Sequence, residues 1–237
     1  MRRPPLSKRD IDILYQDDAI VALDKPAGLP AVPIPDSDAP SAFAVLAAEM
    51  KRHRERAFVV HRIDRYTSGV LLFAKTNAAR DGLVRQFLRH TPVRQYLAVV
   101  RGNIAAKEGR IVDYLRRRGI FQRVSRESDP EAARAELSYA VERSLRHATL
   151  VRVTLATGLQ NQIRVQFAAA GHPVVGDRKY RPEEAAERRI ARVALHASLL
   201  EFTHPVSGER VRIESPLPAD MRSLIASLSR TGRAPGG

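Results

Sequence analysis

The chain has no cysteine among its 237 residues, and this absence limits its chemistry. Disulfides, thiolate metal sites and a cysteine nucleophile are excluded. No apolar run approaches the ~20 residues of a membrane-spanning helix, and the longest, such as Val70–Ala74, predict buried strands instead. The basic N-terminus is not followed by the apolar segment of a secretory signal. We therefore expect a cytoplasmic protein without a membrane partner.

Acidic residues are few relative to basic ones. The chain contains 40 Lys and Arg but 26 Asp and Glu, which gives a formal net charge of +14. Such a balance favours a polyanionic partner, because each phosphate that a protein neutralises releases condensed counterions. A genome that favours arginine would explain the many arginines, but it would not explain the shortage of acidic residues. The charge therefore indicates nucleic-acid binding.

The order of the predicted elements favours an α+β fold, with a mostly antiparallel central sheet and flanking helices and loops. The pattern predicts strands over 11–24 (two, around a turn), 58–60, 70–74, 96–100, 135–141, 149–155, 193–202 and 209–213. It predicts helices over 41–52, from an N-cap at Asn77 for about 12 residues, over 162–170 and over 218–228. Residues 103–130, which are rich in arginine, are expected to be irregular.

The length is enough for one well-buried core and short for two full domains. We expect a single catalytic domain over residues 1–230. A loose basic arm over 1–9 and a disordered tail over 229–237 are expected at its ends.

The polar segment His61–Gly69 lies between two apolar strands and carries the chemistry. Asp64 would be held there on rigid flanks, and the basic side chains of Arg62 and Arg65 would favour its ionised form. A positioned carboxylate of this kind can act as nucleophile or base. The alternative is a plain turn, in which Asp64 caps its neighbours and the arginines are solvated.

This segment resembles the signature of the RluA-type pseudouridine synthases, commonly written H-R-L-D-x-x-T-S-G-x-L-L-x-A-K. From His61 to Lys75 the chain reads HRIDRYTSGVLLFAK, in which Ile63 is a conservative change. Other segments resemble further family elements in the expected order: Asp24–Gly28 (K-P-x-G), Arg94–Ala98 (K-x-Y-L-A, with Arg for Lys), Gln162–Val165 with Gly171–Asp177 and Tyr180, and Leu195–Ala197 with Phe202–Pro205. The likeness spans residues 12 to 220, so we expect no S4-type RNA-binding domain.

The chain departs from the third family motif, which is often G-R-x-H-Q-[IL]-R. Residues 158–164 read GLQNQIR, so Leu159 removes a cation and Asn161 replaces a histidine. An asparagine is both donor and acceptor and can keep a hydrogen-bonding role. The loss of the arginine leaves open which RNA is contacted there.

The resemblance implies an isomerase that converts uridine to pseudouridine in structured RNA, either ribosomal or transfer RNA. It assigns Asp64 as the essential residue, Tyr96 as the active-site tyrosine that stacks on uracil or relays a proton, and Arg164 as the partner of the catalytic carboxylate. No cofactor or metal is implied, because the reaction has no redox change. The pattern alone favours a core strand residue for Tyr96, and it leaves open that Arg164 is a solvated helix residue.

Five further residues are expected to contact RNA or the target base: Lys25, His61, Arg62, Asn161 and Ile163. The target must leave the base stack, and the resemblance favours Arg62 as the side chain that fills the gap. Arg62 could instead pair with Asp64, and Ile163 could be ordinary core. Whether the carboxylate attacks ribose, attacks uracil or removes a ribose proton stays open.

Other enzyme classes fit poorly. A kinase would need a Gly-rich loop and a D-F-G segment, a serine hydrolase would need a G-x-S-x-G elbow, and a retaining glycosidase would need a second carboxylate with a motif around it. The alternative that remains is a non-catalytic RNA-binding protein or RNA chaperone on the same fold. We expect a monomer whose partner is structured RNA, with no protein partner implied.

Overall fold

The computed structural model describes residues 11–119, 121–180 and 190–229. The strands are β1 (Asp12–Gln16), β2 (Ile20–Lys25), β3 (Phe58–Val59), β4 (Ser68–Ala74), β5 (Val93–Arg101), β6 (Glu108–Arg118), β7 (Phe121–Ser125), β8 (Ala132–Leu145), β9 (Ala148–Leu155), β10 (Leu195–Thr203) and β11 (Arg210–Glu214). The helices are α1 (Ala42–Arg52), α2 (Asn77–Leu88), α3 (Gln162–Ala169) and α4 (Ala219–Ser229). The chain forms two compact units, Met1–Arg94 with Ala197–Pro216 and Gln95–His196 with Leu217–Gly237.

The first unit is built on the buried strand β4. This strand is buried at all seven positions and pairs antiparallel with β2 on one edge, while β3 pairs with its end. Strand β1 extends the sheet beyond β2, and β11 pairs antiparallel with β10. The apolar core includes Ile20, Leu72, Leu83 and Phe202. A run of apolar residues bounded by turn residues thus becomes a strand that is covered on both faces.

The second unit is an antiparallel sheet with the strand order β5-β9-β8-β6-β7. Its main core joins β5 and β9 to α3 and α4, with Val99, Val151, Phe167 and Leu224 almost fully buried. A smaller cluster lies between Val165 of α3 and Leu115 of β6. The predicted α+β class with a mostly antiparallel sheet is confirmed.

Most element predictions hold, but two are wrong. The segment 103–130 is not irregular, because it contains the long strand β6 and its hairpin partner β7. The N-cap of α2 is Thr76 and not Asn77, since the Thr76 hydroxyl accepts the backbone N–H of Ala79 at 3.1 Å. The predicted arm, 1–9, lies outside the described residues. Of the predicted tail, 229–237, only Ser229 is described, and it ends α4.

Within the described ranges, no helix is both long enough and apolar enough to cross a membrane.

Candidate active site

The predicted site residues fall into two groups, one in each unit. Lys25, His61, Arg62 and Asp64 belong to the first unit, and Tyr96, Asn161, Ile163 and Arg164 belong to the second.

In the first unit, Asp64 begins a tight turn that leads into β4. The backbone N–H of Thr67 donates to the Asp64 carbonyl at 3.1 Å, which places Arg65 and Tyr66 at the tip of the turn. Asp64 is partly exposed, whereas Thr67 is buried. Arg62, two residues before Asp64, is exposed to solvent. Asp64 therefore lies in sequence between two exposed basic residues, and its catalytic role stays a prediction.

The segment Lys25–Gly28 is hydrogen-bonded to Arg65 of this turn. The Arg65 carbonyl accepts the Gly28 N–H at 2.8 Å and the Lys25 ammonium at 3.2 Å, and the Arg65 Nε donates to the Gly28 carbonyl at 2.9 Å. The same ammonium donates to the carbonyls of Pro26 and Leu29 at 2.9 and 2.8 Å. Gly28 has φ +92°, a conformation that glycine adopts without a steric cost. Three hydrogen bonds, two accepted by the Arg65 carbonyl and one donated by the Arg65 side chain, thus join the two segments.

Lys25 itself is 0% exposed. Its ammonium donates to three carbonyl groups, and this position indicates support of the Asp64 turn. The expectation that Lys25 contacts RNA stays a prediction.

His61 is fixed beside the turn as a neutral ring. Its Nε2 accepts the backbone N–H of Leu72 at 3.0 Å, and its ring stacks on Phe87 with centroids 4.5 Å apart. Burial, helped by the charge of Arg94, lowers the pKa of His61 from 6.5 to about 3. Since Nε2 is an acceptor, the proton resides on Nδ1. The ring thus anchors the start of the segment to β4.

The turn enters β4 through Gly69, a feature that the sequence pattern alone did not single out. Gly69 has φ +109°, and a Cβ there would lie 2.1 Å from the carbonyl oxygen of Ala197. Only glycine allows β4 and β10 to approach so closely at this point. The T-S-G end of the segment is therefore fixed by backbone packing.

In the second unit, Arg164 lies on α3 within a buried ion pair. Its Nε and Nη2 donate to the two Asp177 oxygens at 2.7 and 2.8 Å, and its Nη1 donates to the Asn161 Oδ1 at 2.7 Å. The guanidinium also lies 5.2 Å from the centre of the Tyr180 ring. Asp177 further accepts the N–H groups of Lys179 and Tyr180. Such a bidentate pair sets the orientation of the guanidinium.

Asp177, the ion-pair partner of Arg164, was not predicted from the sequence as a site residue. Its side chain is 1% exposed, compared with 8% for that of Arg164. The available signal was an acidic residue in the quoted segment Gly171–Asp177, which follows α3 directly. The interpretation of Arg164 as a solvated helix residue is excluded by its burial.

Asn161 and Leu159 occupy positions that suit these residue types. Asn161 has φ +54° and lies at the start of α3. Its side-chain oxygen accepts a hydrogen bond from Arg164 and does not cap the helix. Asparagine enters this left-handed region more readily than most residues. Leu159 is partly buried against the cluster of Leu115 and Val165.

Tyr96 and Ile163 both lie on secondary structure of the second unit. Tyr96 is a partly buried residue of β5, is paired in register with Val153 and packs against the main core. Ile163 is 4% exposed and belongs to that core. Their roles toward a base stay predictions.

The arginines of the β6–β7 hairpin are partly compensated by acids. Arg110 pairs with Glu136, and Arg116 pairs with Asp129 and Glu131. These pairs lower the number of basic side chains that the hairpin can offer to RNA. Across the described ranges there is also no cluster of three or more His, Asp or Glu side chains suited to a metal ion.

Comparison with known proteins agrees with these features. A family model described as RNA pseudouridylate synthase matches residues 19–169. An uncharacterised RNA pseudouridine synthase of Bacillus subtilis is 36% identical over 228 residues, covering 94% of this chain and 74% of that protein. The ribosomal large subunit pseudouridine synthase D of Xanthomonas campestris is 36% identical over 232 residues, covering 92% and 69%.

The fold agrees as well. The structure of human RNA pseudouridylate synthase domain containing 4 matches with a TM-score of 0.77 at 21% identity, covering 91% of this chain and 92% of that one. The chain therefore belongs to the RNA pseudouridylate synthase family and is an RNA pseudouridine synthase, an isomerase whose partner is RNA.

Proposed function

We propose that this pseudouridine synthase modifies a uridine of large-subunit ribosomal RNA, with Asp64 as its essential catalytic residue. The observation that carries the role of Asp64 is the turn itself, which is tied to Lys25 and Gly28 from behind and flanked by Arg62 and Arg65. The substrate class rests on the curated relatives, several of which are named as ribosomal large subunit synthases. Transfer RNA is the other substrate class to test.

The reaction needs bond exchange without any net change in oxidation. The N1–C1′ bond of the uridine breaks, the uracil turns, C5 bonds to C1′, the hydrogen on C5 leaves to water, and N1 gains a proton. Asp64 supplies the carboxylate that starts this exchange, whether on ribose or on uracil. No metal or cofactor takes part.

The second unit supplies the other proposed groups. Arg164, whose guanidinium is oriented by Asp177 and Asn161, serves the catalytic carboxylate in the role that the family resemblance assigns to it. Tyr96 stacks on the uracil or relays a proton, and Ile163 contributes apolar surface to the base pocket. Asn161 acts through Arg164, which is a positioning role.

The RNA is held and opened by the first unit. Arg62 fills the space that the target base leaves when it turns out of the stack, a step that costs a few kcal/mol. His61 acts indirectly, because its ring is engaged by Leu72 and Phe87. We further propose one catalytic domain over residues 1–230, acting as a monomer in the cytoplasm.

The experiment is tritium release from RNA that carries tritium at uracil C5. Wild type and Asp64→Asn are incubated in parallel with unmodified transcripts of large-subunit ribosomal RNA and of transfer RNA. Asp81→Asn, which changes an exposed carboxylate on α2, is the matched control. We expect release from ribosomal RNA with wild type and Asp81→Asn, and none with Asp64→Asn.

Three results would contradict the proposal in different ways. Release from transfer RNA alone would overturn the substrate class and keep the role of Asp64. Release by Asp64→Asn at the wild-type rate would overturn that role. Binding of RNA by wild type without any release from either transcript would favour the non-catalytic alternative.

A further inference from the structure

An exposed aromatic side chain stands at the tip of the Asp64 turn. Tyr66 is 47% exposed, although it follows the catalytic carboxylate by only two residues. The other two residues of this loop that face solvent, Arg62 and Arg65, are both basic. Single exposed apolar residues are common on protein surfaces and need no explanation by themselves. The position of Tyr66 and the way it is mounted distinguish it from them.

Hydrogen bonds hold the backbone on both sides of Tyr66. Its neighbour Arg65 is held through its backbone carbonyl by Gly28 and Lys25, and through its Nε by the Gly28 carbonyl. The Arg65 guanidinium lies 5.5 Å from the centre of the Tyr66 ring, within the range of a cation–π contact. The Thr67 N–H closes the turn on its other side. Because its flanking backbone is held and Arg65 contacts its ring, Tyr66 should lose less conformational freedom on binding a ligand than an aromatic residue in an unconstrained loop.

We propose that Tyr66 is a substrate-binding residue on which an unpaired base of the RNA, next to the target uridine, stacks. Proteins that bind unpaired RNA combine aromatic rings as stacking surfaces with basic side chains that follow the phosphates. The turn offers this combination beside the carboxylate, with Arg62 and Arg65 on either side of it in sequence. Flipping the target out also leaves its neighbour without a stacking partner, and the ring supplies one.

This inference rests on the proposed role of Asp64, and the first experiment is kinetic. Tyr66→Ala, Tyr66→Phe and wild type are compared for tritium release from the large-subunit ribosomal RNA transcript. Leu88→Ala, which removes an exposed apolar side chain on α2, is the control because Leu88 is 74% exposed. Circular dichroism and thermal melting verify that each variant is folded.

Stacking of a base on an aromatic ring is worth roughly 5- to 150-fold in affinity, so Tyr66→Ala should raise KM by about that factor. The value of kcat should change by less than about twofold, because the contact is made equally in the ground state and the transition state. Tyr66→Phe keeps the ring and should behave as wild type, as should Leu88→Ala. A Tyr66→Ala enzyme with unchanged KM, or a Tyr66→Phe enzyme as impaired as Tyr66→Ala, would overturn the proposal.

The second experiment detects the stack directly. The chain contains no tryptophan, so Tyr66→Trp introduces a single indole fluorophore. Placed in the Asp64→Asn background to prevent turnover, it is titrated with the same transcript, and Leu88→Trp in that background is the control. Quenching of the indole at position 66 beyond that at position 88 supports stacking, and equal quenching contradicts it. If wild type released no tritium, the proposed function would fail, while these titrations would still report on the ring.

Discussion

The link between Lys25 and the Asp64 turn leads to a prediction that separates support of the site from general stability. Lys25→Met keeps most of the aliphatic stem and removes the ammonium. The carbonyls of Pro26, Leu29 and Arg65 then lose a donor, but that of Arg65 keeps the N–H of Gly28. Two carbonyls are thus left to find new partners or to remain unsatisfied.

The expected cost follows from these two groups. A buried acceptor that loses its donor costs about 1–3 kcal/mol, so two of them cost roughly 2–6 kcal/mol. Part of this is offset, because an ammonium no longer has to be buried. We expect Lys25→Met to lower the free energy of unfolding by about 2–4 kcal/mol, as measured by urea denaturation.

Lys75→Met is the matched control for activity. The Lys75 ammonium is also nearly buried, with its side chain 6% exposed, and it donates to the Asp17 carbonyl at 2.7 Å and pairs with Glu55 at 3.1 Å. Its loss should destabilise the first unit by a similar amount without releasing the Asp64 turn. At a temperature where both variants are folded, kcat for tritium release should fall about 10- to 100-fold for Lys25→Met and remain near wild type for Lys75→Met. Equal kcat values in the two variants would refute the view that Lys25 positions the turn.

Three further substitutions test other parts of the site by urea denaturation. Gly69→Ala should prevent folding or cost more than about 4 kcal/mol, because its methyl group would lie 2.1 Å from a backbone oxygen, whereas Gly171→Ala, at φ +82° with open space, should cost only about 1–2 kcal/mol. His61→Gln should flatten the loss of stability that accompanies a fall in pH from about 6.5 toward 3, by up to about 1.4 kcal/mol per pH unit. The sign follows from the lowered pKa: the unfolded chain binds the His61 proton first, so acid favours unfolding. Asp177→Asn should cost about 3–5 kcal/mol, since it leaves a buried guanidinium without its counter-charge.

The elements that the sequence predicted well are those whose pattern is local. Strand β4 reads as a continuous apolar run, and the β10–β11 hairpin is marked by the turn residues of His204–Gly208. The helix α1 has a serine N-cap, Ser41, whose hydroxyl accepts the Ala44 N–H at 3.1 Å. Each of these signals depends on neighbours in sequence alone.

The hairpin β6–β7 was missed because its pattern depends on distant partners. On the face toward α3, the apolar residues Ile111 and Leu115 are separated by Asp113. The opposite face mixes arginines with a tyrosine and the exposed Val112. The strand is fixed by its antiparallel pairing with β8, in which Leu115 lies opposite Ala133. The Asp113 carboxylate can lie on the inner face of the strand because the Gln166 side-chain amide donates a hydrogen bond to it at 3.0 Å. No window of the sequence around β6 reveals either partner.

The site shows the same division between local and distant information. The Asp64 turn and its basic neighbours are predictable from one segment, because the motif residues are contiguous. The burial of Lys25 could not be predicted from local sequence, since its three carbonyl partners include that of Arg65, forty positions away. The ion-pair partner of Arg164 could likewise not be predicted from local sequence, because Asp177 lies thirteen positions further along the chain. Ion pairs of this kind follow from packing and not from local pattern.

The departures in the third motif find a physical explanation in the same ion pair. Position 161 needs a residue that accepts φ +54° and that offers an acceptor to the Arg164 Nη1, and asparagine meets both requirements. Leu159 lies against the apolar cluster of Leu115 and Val165, where an arginine would have to direct its charged end away from the cluster. A change from cation to apolar residue at 159 therefore removes a charge from the surface without disturbing Arg164. The orientation of Arg164 thus depends on Asn161 and Asp177, and Leu159 contributes to the packing beside it.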